Sequence, residues 1–485
     1  MEKQSQNTQE EKKALLPSIN LPKGGGAING IGEKFSVNAL TGTGSASIPV
    51  PVSPGRNGFA PQLGLAYDSG AGNSAFGLGW NLSLPSIQRK TSKGLPQYND
   101  AEGSDTFLLS GAEDLVPTLY EKTPGNWVPK TKPEGDHIIY YYRPRTEGLF
   151  ALIEKWVHNE SKEIHWKTTS KENVTSFYGR SKSSKIYDSQ NPHNVFEWLL
   201  EESRDNHGNI IVYNYKQENE EGIDASKPSE QNRLKNKTAF HHKYIKNIQY
   251  GNKQANIAGD WFFQIVFDYG EHSTEVPTLI EEKKWNIRQD AFSNFTAGFE
   301  IRNYRLCNRI LIFHQFEELG ALPVLVKSTD LTYKASPHLT QLIKVKQTGY
   351  IKNGNAYVSK STPPVEYVYS EAVIGNTIQT ISSLNLENLP IGVDGMQYHW
   401  VDLEGEGIEG ILTEQGGAWF YKSNLGDGNF SSTKVVSSQP SLIGNGRPQL
   451  QDMDRDGDHD LLLFNNQTSG IYNYTDGNWQ NYQAF

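Results

Sequence analysis

Apolar residues recur at every second position along much of this chain, a spacing that a β-sheet accommodates and an α-helix does not. Near the N-terminus the alternating sets are Ala46, Ile48, Val50 and Val52; Leu63, Leu65 and Tyr67; and Leu78, Trp80, Leu82 and Leu84. Further strands are predicted at 149–157, 164–169, 174–178, 211–215, 263–269, 308–313, 342–346 and 365–369. No 15-residue window combines the i, i+3, i+4 apolar spacing of a helix with helix caps. The sequence therefore predicts an all-β fold with very little helix, in which the polar segment 217–235 is a mobile loop.

Charged residues are scarce in the N-terminal strands. Between Phe35 and Ile87 only Arg56 and Asp68 are charged, although charged residues make up 21% of the chain. The strand faces opposite the apolar ones carry Gly, Ser, Asn and Pro. Such a face either contacts other protein or lines a cavity, or it belongs to a glycine-rich sheet whose strands pack closely. The segment 68–80 is predicted to be a structural determinant of this region.

The last hundred residues contain two copies of one pattern. YHWVDLEGEGIEGILTE is followed by PQLQDMDRDGDHDLLLF, and Asp402 and Asp452 head equivalent loops 50 residues apart. A period near 50 with several short strands per copy is typical of a propeller blade, and a propeller needs about four to eight blades to close. We therefore predict a flexible tail at 1–20, a large β domain at 21–375 and an incomplete propeller at 385–485, which either continues in a longer product or closes with another chain.

The second copy contains the sharpest local motif of the chain. Its carboxylates stand at loop positions 1, 3, 5 and 9, as Asp452, Asp454, Asp456 and Asp460. Gly457 at position 6 permits a tight turn, and Asp458 would contribute its backbone carbonyl. Hard oxygen ligands at this spacing suit Ca²⁺, although position 12 is Leu463 and not the glutamate of an EF-hand. The sequence predicts a structural Ca²⁺ loop, with an acidic turn that binds no metal as the alternative.

The corresponding loop of the first copy has lost part of this pattern. Asp402, Glu404 and Glu406 keep positions 1, 3 and 5, but position 9 is Gly410. Calcium binding is a weaker prediction here, and Asp427 is predicted to shape a turn.

Charge and motif content exclude several functional classes. The net charge is −9, which argues against a nucleic-acid or polybasic membrane-surface protein. Sequences of the types GxSxG, HExxH and the Walker loop are absent. The single cysteine, Cys307, lies in an apolar run and is predicted to be a buried, inert thiol. His241 and His242 are predicted to be structural or surface residues, and Glu218-Asn-Glu220 is a chance match to the Glu-x-Glu of ADP-ribosyltransferases.

Targeting signals are also missing from the sequence. No apolar run approaches the ~20 residues that span a bilayer, so no integral membrane segment is predicted. Residues 1–20 do not resemble a Sec signal peptide. A product made in the bacterial cytoplasm and secreted by another route is expected.

Several segments resemble the N-terminal domain family of the Salmonella virulence plasmid B protein, which also opens the B component of bacterial insecticidal toxin complexes. They are LPKGGGAINGIGEKF (21–35), TGTGSASIPV (41–50), SPGRNGF (53–59), YDSGAGNSAFGLGWNLSLPSIQRKTSKGLPQY (67–98) and SDTFLLSGAEDLVP (104–117). The resemblance is looser but continuous to about 370, where the strands are similar to YD/RHS-like strands. Residues from about 385 resemble FG-GAP/VCBS propeller repeats.

The resemblance implies a non-catalytic part of a secreted toxin complex. Its β shell would enclose a cytotoxic payload, and its propeller would dock on an A-type pore-forming component and act as a gate. A C-type component would bear the payload. One alternative is a delivery module for an ADP-ribosyltransferase domain beyond residue 485. Another is a surface-binding propeller that uses Trp419 and Trp479, although these positions are more often propeller core.

Overall fold

A computed structural model of the chain describes residues 34–37, 42–111, 113–146, 148, 150–236, 240–354, 356–370, 376–382, 385, 398–436, 440, 447–454, 456–464, 469–475 and 477–485. The predicted tail at 1–20 lies outside these residues. The chain divides into two compact units, Met1–Tyr369 and Ser370–Phe485. The proposed domain limits at 375 and 385 stay predictions, because most residues around them are not described.

The described part of the first unit contains 28 strands, one α-helix and three single-turn 3₁₀ segments. The first half of the strands is β1 (Lys34–Val37), β2 (Gly44–Pro49), β3 (Gly64–Asp68), β4 (Asn73–Ser74), β5 (Gly77–Leu78), β6 (Trp80–Leu82), β7 (Ser86–Arg89), β8 (Phe107–Leu109), β9 (Glu113–Pro117), β10 (Leu119–Thr123), β11 (Asn126–Pro129), β12 (Thr131–Glu134), β13 (His137–Pro144) and β14 (Leu152–His158). The second half is β15 (Ile164–Thr169), β16 (Thr175–Tyr178), β17 (Lys185–Tyr187), β18 (Val195–Arg204), β19 (Ile210–Gln217), β20 (Lys243–Asn252), β21 (Trp261–Asp268), β22 (Phe292–Asn294), β23 (Ile301–Asn303), β24 (Arg309–His314), β25 (Val324–Ala335), β26 (Thr340–Asn353), β27 (Ala356–Ser361) and β28 (Val365–Glu366). The 3₁₀ segments are Arg56–Gly58, Lys182–Ser184 and Glu317–Leu319.

Eight of these strands close into a ring. Antiparallel pairing runs in the order β7, β8, β9, β13, β14, β15, β16 and β18, and β18 pairs back onto β7. Phe107, Trp166 and Trp198 belong to three strands that are not neighbours, yet their rings pack edge to face at centroid distances of 4.9–6.1 Å. These aromatic side chains therefore fill the inside of the eight-stranded ring.

The sheet continues from the eight-stranded ring through β18, β19, β20, β21, β24, β25 and β26, and both β27 and β28 pair with β26. The alternating residues of β21, such as Ile265 and Phe267, are buried in the main core. Val266, between them, packs in a second cluster with Leu311 and Phe313. This strand is covered on both faces, and the all-β prediction is confirmed.

Close packing of glycine explains the neutral N-terminal strands. Strands β1, β2, β3 and β6 form a four-stranded antiparallel sheet, with the β4–β5 hairpin beside it. Gly79 has φ +78°, and a Cβ atom there would lie 2.5 Å from Cε2 of Tyr67. Asn73 donates a hydrogen bond of 2.8 Å to Asp290, which Arg288 also contacts at 2.8 Å. The glycine-rich segment is thus built into the core, as the close-packing alternative predicts.

The segment predicted to be a polar loop contains the helix of this unit, α1 (Pro228–Asn236). Glu218 is fully buried and pairs with the buried Arg305 at 2.8 Å. Glu230 pairs with Arg302 at 2.8 Å. The prediction of a loop throughout 217–235 is wrong, because these charges pair inside the fold rather than with solvent.

The second unit repeats one small sheet. Its strands are β29 (Tyr398–Val401), β30 (Gly410–Gln415), β31 (Ala418–Lys422), β32 (Asn424–Gly426), β33 (Asn429–Phe430), β34 (Lys434–Val436), β35 (Arg447–Gln451), β36 (Asp460–Phe464), β37 (Gly470–Tyr472), β38 (Tyr474–Thr475), β39 (Asn478–Trp479) and β40 (Gln483–Ala484). Each copy is a four-stranded sheet, β29-β30-β31-β34 or β35-β36-β37-β40, with a two-stranded hairpin before its last strand. Across the described residues, no helix has the length and apolar character needed to cross a membrane.

Candidate metal centre

Three carboxylates meet in the loop that joins β35 to β36. One oxygen from each of Asp452, Asp454 and Asp460 lies within 4.8 Å of the other two. Among the described residues, no other group of three His, Cys, Asp or Glu side chains brings its possible ligand atoms this close together. Loop positions 1, 3 and 9 of the sequence motif therefore converge.

Asp460 is the buried anchor of the loop. Its Oδ2 accepts a hydrogen bond from the Met453 amide and its Oδ1 accepts one from the Tyr474 amide, both at 3.0 Å. Burial raises the pKa of Asp460, and the nearby charges of Asp454 and Asp456 raise it further. The two amide hydrogen bonds lower it, but by less than the other effects raise it. A cation would relieve this repulsion, so the donor set fits a hard divalent ion such as Ca²⁺.

Two further aspartates of the motif lie outside the set of three. The Asp458 amide donates to Oδ1 of Asp456 at 2.9 Å, and Gly457 between them has φ +104°. These two residues therefore shape the turn. Asn473, which the sequence analysis did not identify, donates its amide to Oδ2 of Asp454 at 2.9 Å and orients that carboxylate.

The loop of the first copy satisfies its own acidic groups. Both oxygens of Asp402 accept backbone hydrogen bonds, from Glu406 at 2.8 Å and from Gly407 at 2.6 Å. Glu404 pairs with the ammonium of Lys434 at 3.0 Å. A lysine thus neutralises part of the charge of this loop, and calcium binding by Asp402, Glu404 and Glu406 stays a prediction.

In the first copy, a tyrosine hydroxyl takes the place of the carboxylate that the second copy has at loop position 9. The Leu403 amide, equivalent to that of Met453, contacts the Tyr421 hydroxyl at 3.3 Å, whereas Met453 contacts Asp460. A Cβ atom on Gly410 would lie 2.5 Å from the Tyr421 hydroxyl oxygen. It would lie equally close, 2.5 Å, to the Lys422 carbonyl oxygen, so both the backbone of β31 and the tyrosine require glycine at position 9.

The other candidate residues have structural positions. Cys307 is fully buried, and burial raises the pKa of its thiol well above the usual value. His241 is buried between Ser189 and the Glu300 carbonyl, at 3.0 and 2.8 Å. Trp419 is 4% exposed and lies in the core of the second unit with Trp479 packed against it. Asp427 occupies the β32–β33 turn with φ +51°.

Comparison with known proteins places the chain in a family. The family profile described as Salmonella virulence plasmid 65kDa B protein matches residues 38–316, more than half of the sequence. The chain belongs to the Salmonella virulence plasmid B protein family. The chain is similar to the N-terminal domain of the effector protein SpvB from Salmonella typhimurium strain LT2. That match has a TM-score of 0.57 and 36% identity, and covers 63% of this chain and 98% of that domain.

A curated member of the family is the mono(ADP-ribosyl)transferase SpvB of Salmonella choleraesuis (strain SC-B67). It is 36% identical over 361 residues, which cover 70% of this chain and 58% of the relative. A chain in the Photorhabdus luminescens Tc holotoxin pore is also similar, with a TM-score of 0.74 and 30% identity over 96% of this chain and 22% of that one. The chain thus covers less than two thirds of the length of the curated relatives. It covers about a fifth of the length of the Tc toxin chain. Together these relatives connect the chain with toxins.

Proposed function

We propose that this chain is a non-catalytic structural segment of a secreted bacterial toxin complex, part of a β shell that encloses and delivers a cytotoxic payload. The observation that carries the proposal is the similarity over 96% of the chain to a Tc holotoxin component. Extended antiparallel pairing, with eight strands closed into a ring, suits a wall that must not expose open sheet edges.

The chemistry of the side chains supports a structural role. Cys307, whose thiol pKa is raised by burial, is a poor nucleophile. Glu218, the first glutamate of the Glu-x-Glu match, has its carboxylate bound to Arg305 inside the core. Both groups stabilise the fold and neither is accessible to a substrate.

The second unit serves, on this proposal, as the start of a docking and gating propeller. Each of its copies has the four strands of a propeller blade. Structural Ca²⁺ in the loop of Asp452, Asp454 and Asp460 would hold the second blade together. The proposed partners are an A-type pore-forming component and a C-type component that bears the payload.

The test is purification of the native product from its source cell, with peptide mass spectrometry of everything that co-purifies. We expect peptides of A-type and C-type toxin components. We also expect the payload to resist protease until the complex is denatured. A product that travels alone, or a payload digested as fast in the native complex as after denaturation, would overturn the shell.

A second candidate is a delivery module for an ADP-ribosyltransferase. It is favoured by the curated relatives, which carry that activity in their name and extend well beyond the matched region. The reading frame decides between the two candidates: continuation into an ADP-ribosyltransferase sequence supports the second, and continuation into further shell sequence supports the first.

A further inference from the structure

Basic and imidazole side chains line a cavity beside β13, β14, β15 and β17 of the first unit. The cavity has a volume of about 240 Å³. Its wall includes His137, His158, Glu163, His165, Arg180 and Lys185. Ile164 and Trp166 belong to the core, so the alternation of β15 directs His165, between them, to the opposite face. Ile164 also lines the cavity, so the cavity reaches the edge of the core, and all of its lining residues belong to the first unit.

Lys185 gives this cavity a buried positive charge. Its side chain is only 5% exposed. Burial lowers the pKa of Lys185, and the nearby charges of Glu163 and Glu201 offset this effect only in part. Among the described residues, neither carboxylate forms an ion pair with its ammonium. The carboxylate of nearby Glu201 is already bound by the Ser181 amide and the Ser184 hydroxyl, at 2.9 and 2.6 Å. A largely buried cation whose nearest carboxylates form no ion pair with it is unfavourable, and an anion in the cavity would compensate its charge.

The histidines add donors to the same wall. Nδ1 of His158 accepts hydrogen bonds from the amides of Glu160 and Ser161, at 3.3 and 3.1 Å. The proton of its neutral ring is therefore on Nε2, which makes that atom a donor. The rings of His137 and His158 pair across β13 and β14 with centroids 5.1 Å apart.

The electrostatic field in the cavity is positive. Burial lowers the pKa of His165 to about 3, and the nearby charges of His137, Lys185 and Arg180 lower it further. Arg180 is paired with Glu202 at 2.8 Å, and Glu163 contributes one exposed negative charge. The buried side of the cavity therefore favours a negatively charged ligand.

A metal ion suits this cavity less well than an anion. Among the described side chains, the three histidines and Glu163 do not bring three ligand atoms within 4.8 Å of one another. Nδ1 of His158, which accepts two amide hydrogens, is not free to bind a metal, and its Nε2 bears a proton.

We propose that this cavity binds a compact oxyanion, with the Lys185 ammonium as its counter-ion and the His158 Nε2–H as a hydrogen-bond donor. Phosphate, sulfate and carboxylate share the required chemistry. Nothing in this site depends on the shell function, so either proposal can fail without the other.

Isothermal titration of the full chain with inorganic phosphate, sulfate and acetate, at constant ionic strength set with chloride, tests the proposal. Lys185→Met should weaken binding at least about tenfold, because a charge-assisted contact is lost. Lys182→Met is the matched control. This lysine is exposed three residues earlier and acts on Lys185 only through its charge, so its removal should weaken binding much less than Lys185→Met does. Binding of phosphate or sulfate would point to a phosphorylated or sulfated ligand. Binding of acetate alone would point to an acidic side chain of a protein.

A second readout keeps the proposal testable if Lys185→Met does not fold. In the wild-type chain with labelled histidine, saturating oxyanion should raise the pKa of His165 in an NMR titration, because the anion offsets the positive field. Absence of saturable oxyanion binding, equal loss in both lysine variants, or zinc binding through these histidines would each overturn the proposal.

Discussion

Single side chains distinguish the two repeat loops. The backbone amide at the second loop position is bound by the Asp460 carboxylate in one copy and by the Tyr421 hydroxyl in the other. One arrangement adds a negative charge beside two other aspartates, and the other adds none. At the residue scale, this exchange decides which loop has the excess negative charge that favours a bound cation.

Replacing Asp454 by alanine should remove the stabilisation that Ca²⁺ gives the chain. With Ca²⁺ at about 100 times its Kd, wild-type stabilisation should be about 2.7 kcal/mol. Without Ca²⁺, Asp454→Ala should not lower the melting temperature, since it removes a repelling charge. Differential scanning calorimetry with and without chelator measures both effects.

Two controls accompany this measurement. Asp427→Asn changes an acidic turn outside the loop and should leave the Ca²⁺ response intact. Glu404→Gln should also leave it intact if Lys434 replaces the ion in the first copy, and should reduce it if that loop binds Ca²⁺ too. A wild-type melt that chelator does not change would refute the metal site.

His242 should make the first unit sensitive to mild acid. Burial lowers the pKa of His242 from 6.5 to about 4, with its ring packed at 4.4 Å from that of Tyr244. The unfolded chain takes up this proton near pH 6.5 and the folded chain only near pH 4, so stability falls as the pH drops between these values. The loss is at most about 3 kcal/mol.

Urea unfolding at a series of pH values measures how steeply the free energy of unfolding changes with pH. His242→Phe should flatten it in part, because His165, with its pKa lowered to about 3, contributes with the same sign. His207→Phe, at an exposed turn position, is the control. A slope that His242→Phe leaves unchanged would contradict the assignment.

At the scale of elements, a buried ion pair attaches the segment after β19 to the rest of the sheet. Glu218→Ala would leave the fully buried Arg305 without its carboxylate, at a cost of about 3–5 kcal/mol. Glu220→Ala, two residues later and exposed, should change the free energy of unfolding by less than about 0.5 kcal/mol. Chemical denaturation compares the two variants, and similar small losses in both would show that the pair is not structural.

The β4–β6 segment depends on a glycine that no other residue can replace. Gly79→Ala should destabilise the chain by at least about 2 kcal/mol, because it combines a positive φ with a Cβ only 2.5 Å from Tyr67. Gly72→Ala, in the same segment but with nothing within 4 Å of its Cβ, should be close to neutral. Urea unfolding of both variants is the measurement, and equal stability would contradict the close packing.

Sequence reasoning succeeded where structure is local. The period of two locates strands because it reports one buried face, and the loop spacing located Asp452, Asp454 and Asp460. Ring closure was not predictable, since β7 pairs with β18 through residues such as Ile87 and Trp198, 111 positions apart. The helix in 217–235 was missed because its acidic residues look solvated until their distant arginine partners are known. Asn473 and Tyr421 were missed because both lie outside the loops themselves, Asn473 between β37 and β38 and Tyr421 in β31.

At the scale of the whole molecule, each of the two units has its own core. The main core cluster, with Trp80, Trp166 and Trp198, lies in the first unit, and a separate cluster around Leu403 and Leu461 lies in the second. The proposed oxyanion cavity belongs to the first unit and the proposed Ca²⁺ loop to the second. Ligands of the two sites should therefore act on separate cores.

Heating the full chain should accordingly give two calorimetric transitions. Ca²⁺ should shift only one of them, and Asp454→Ala should abolish that shift. Gly79→Ala should lower only the other, because its clash with Tyr67 lies in the first core. The double variant tests independence: its two shifts should equal those of the single variants, as expected for sites that share no partners. A single transition that responds to both changes would mean that the two cores unfold as one cooperative unit.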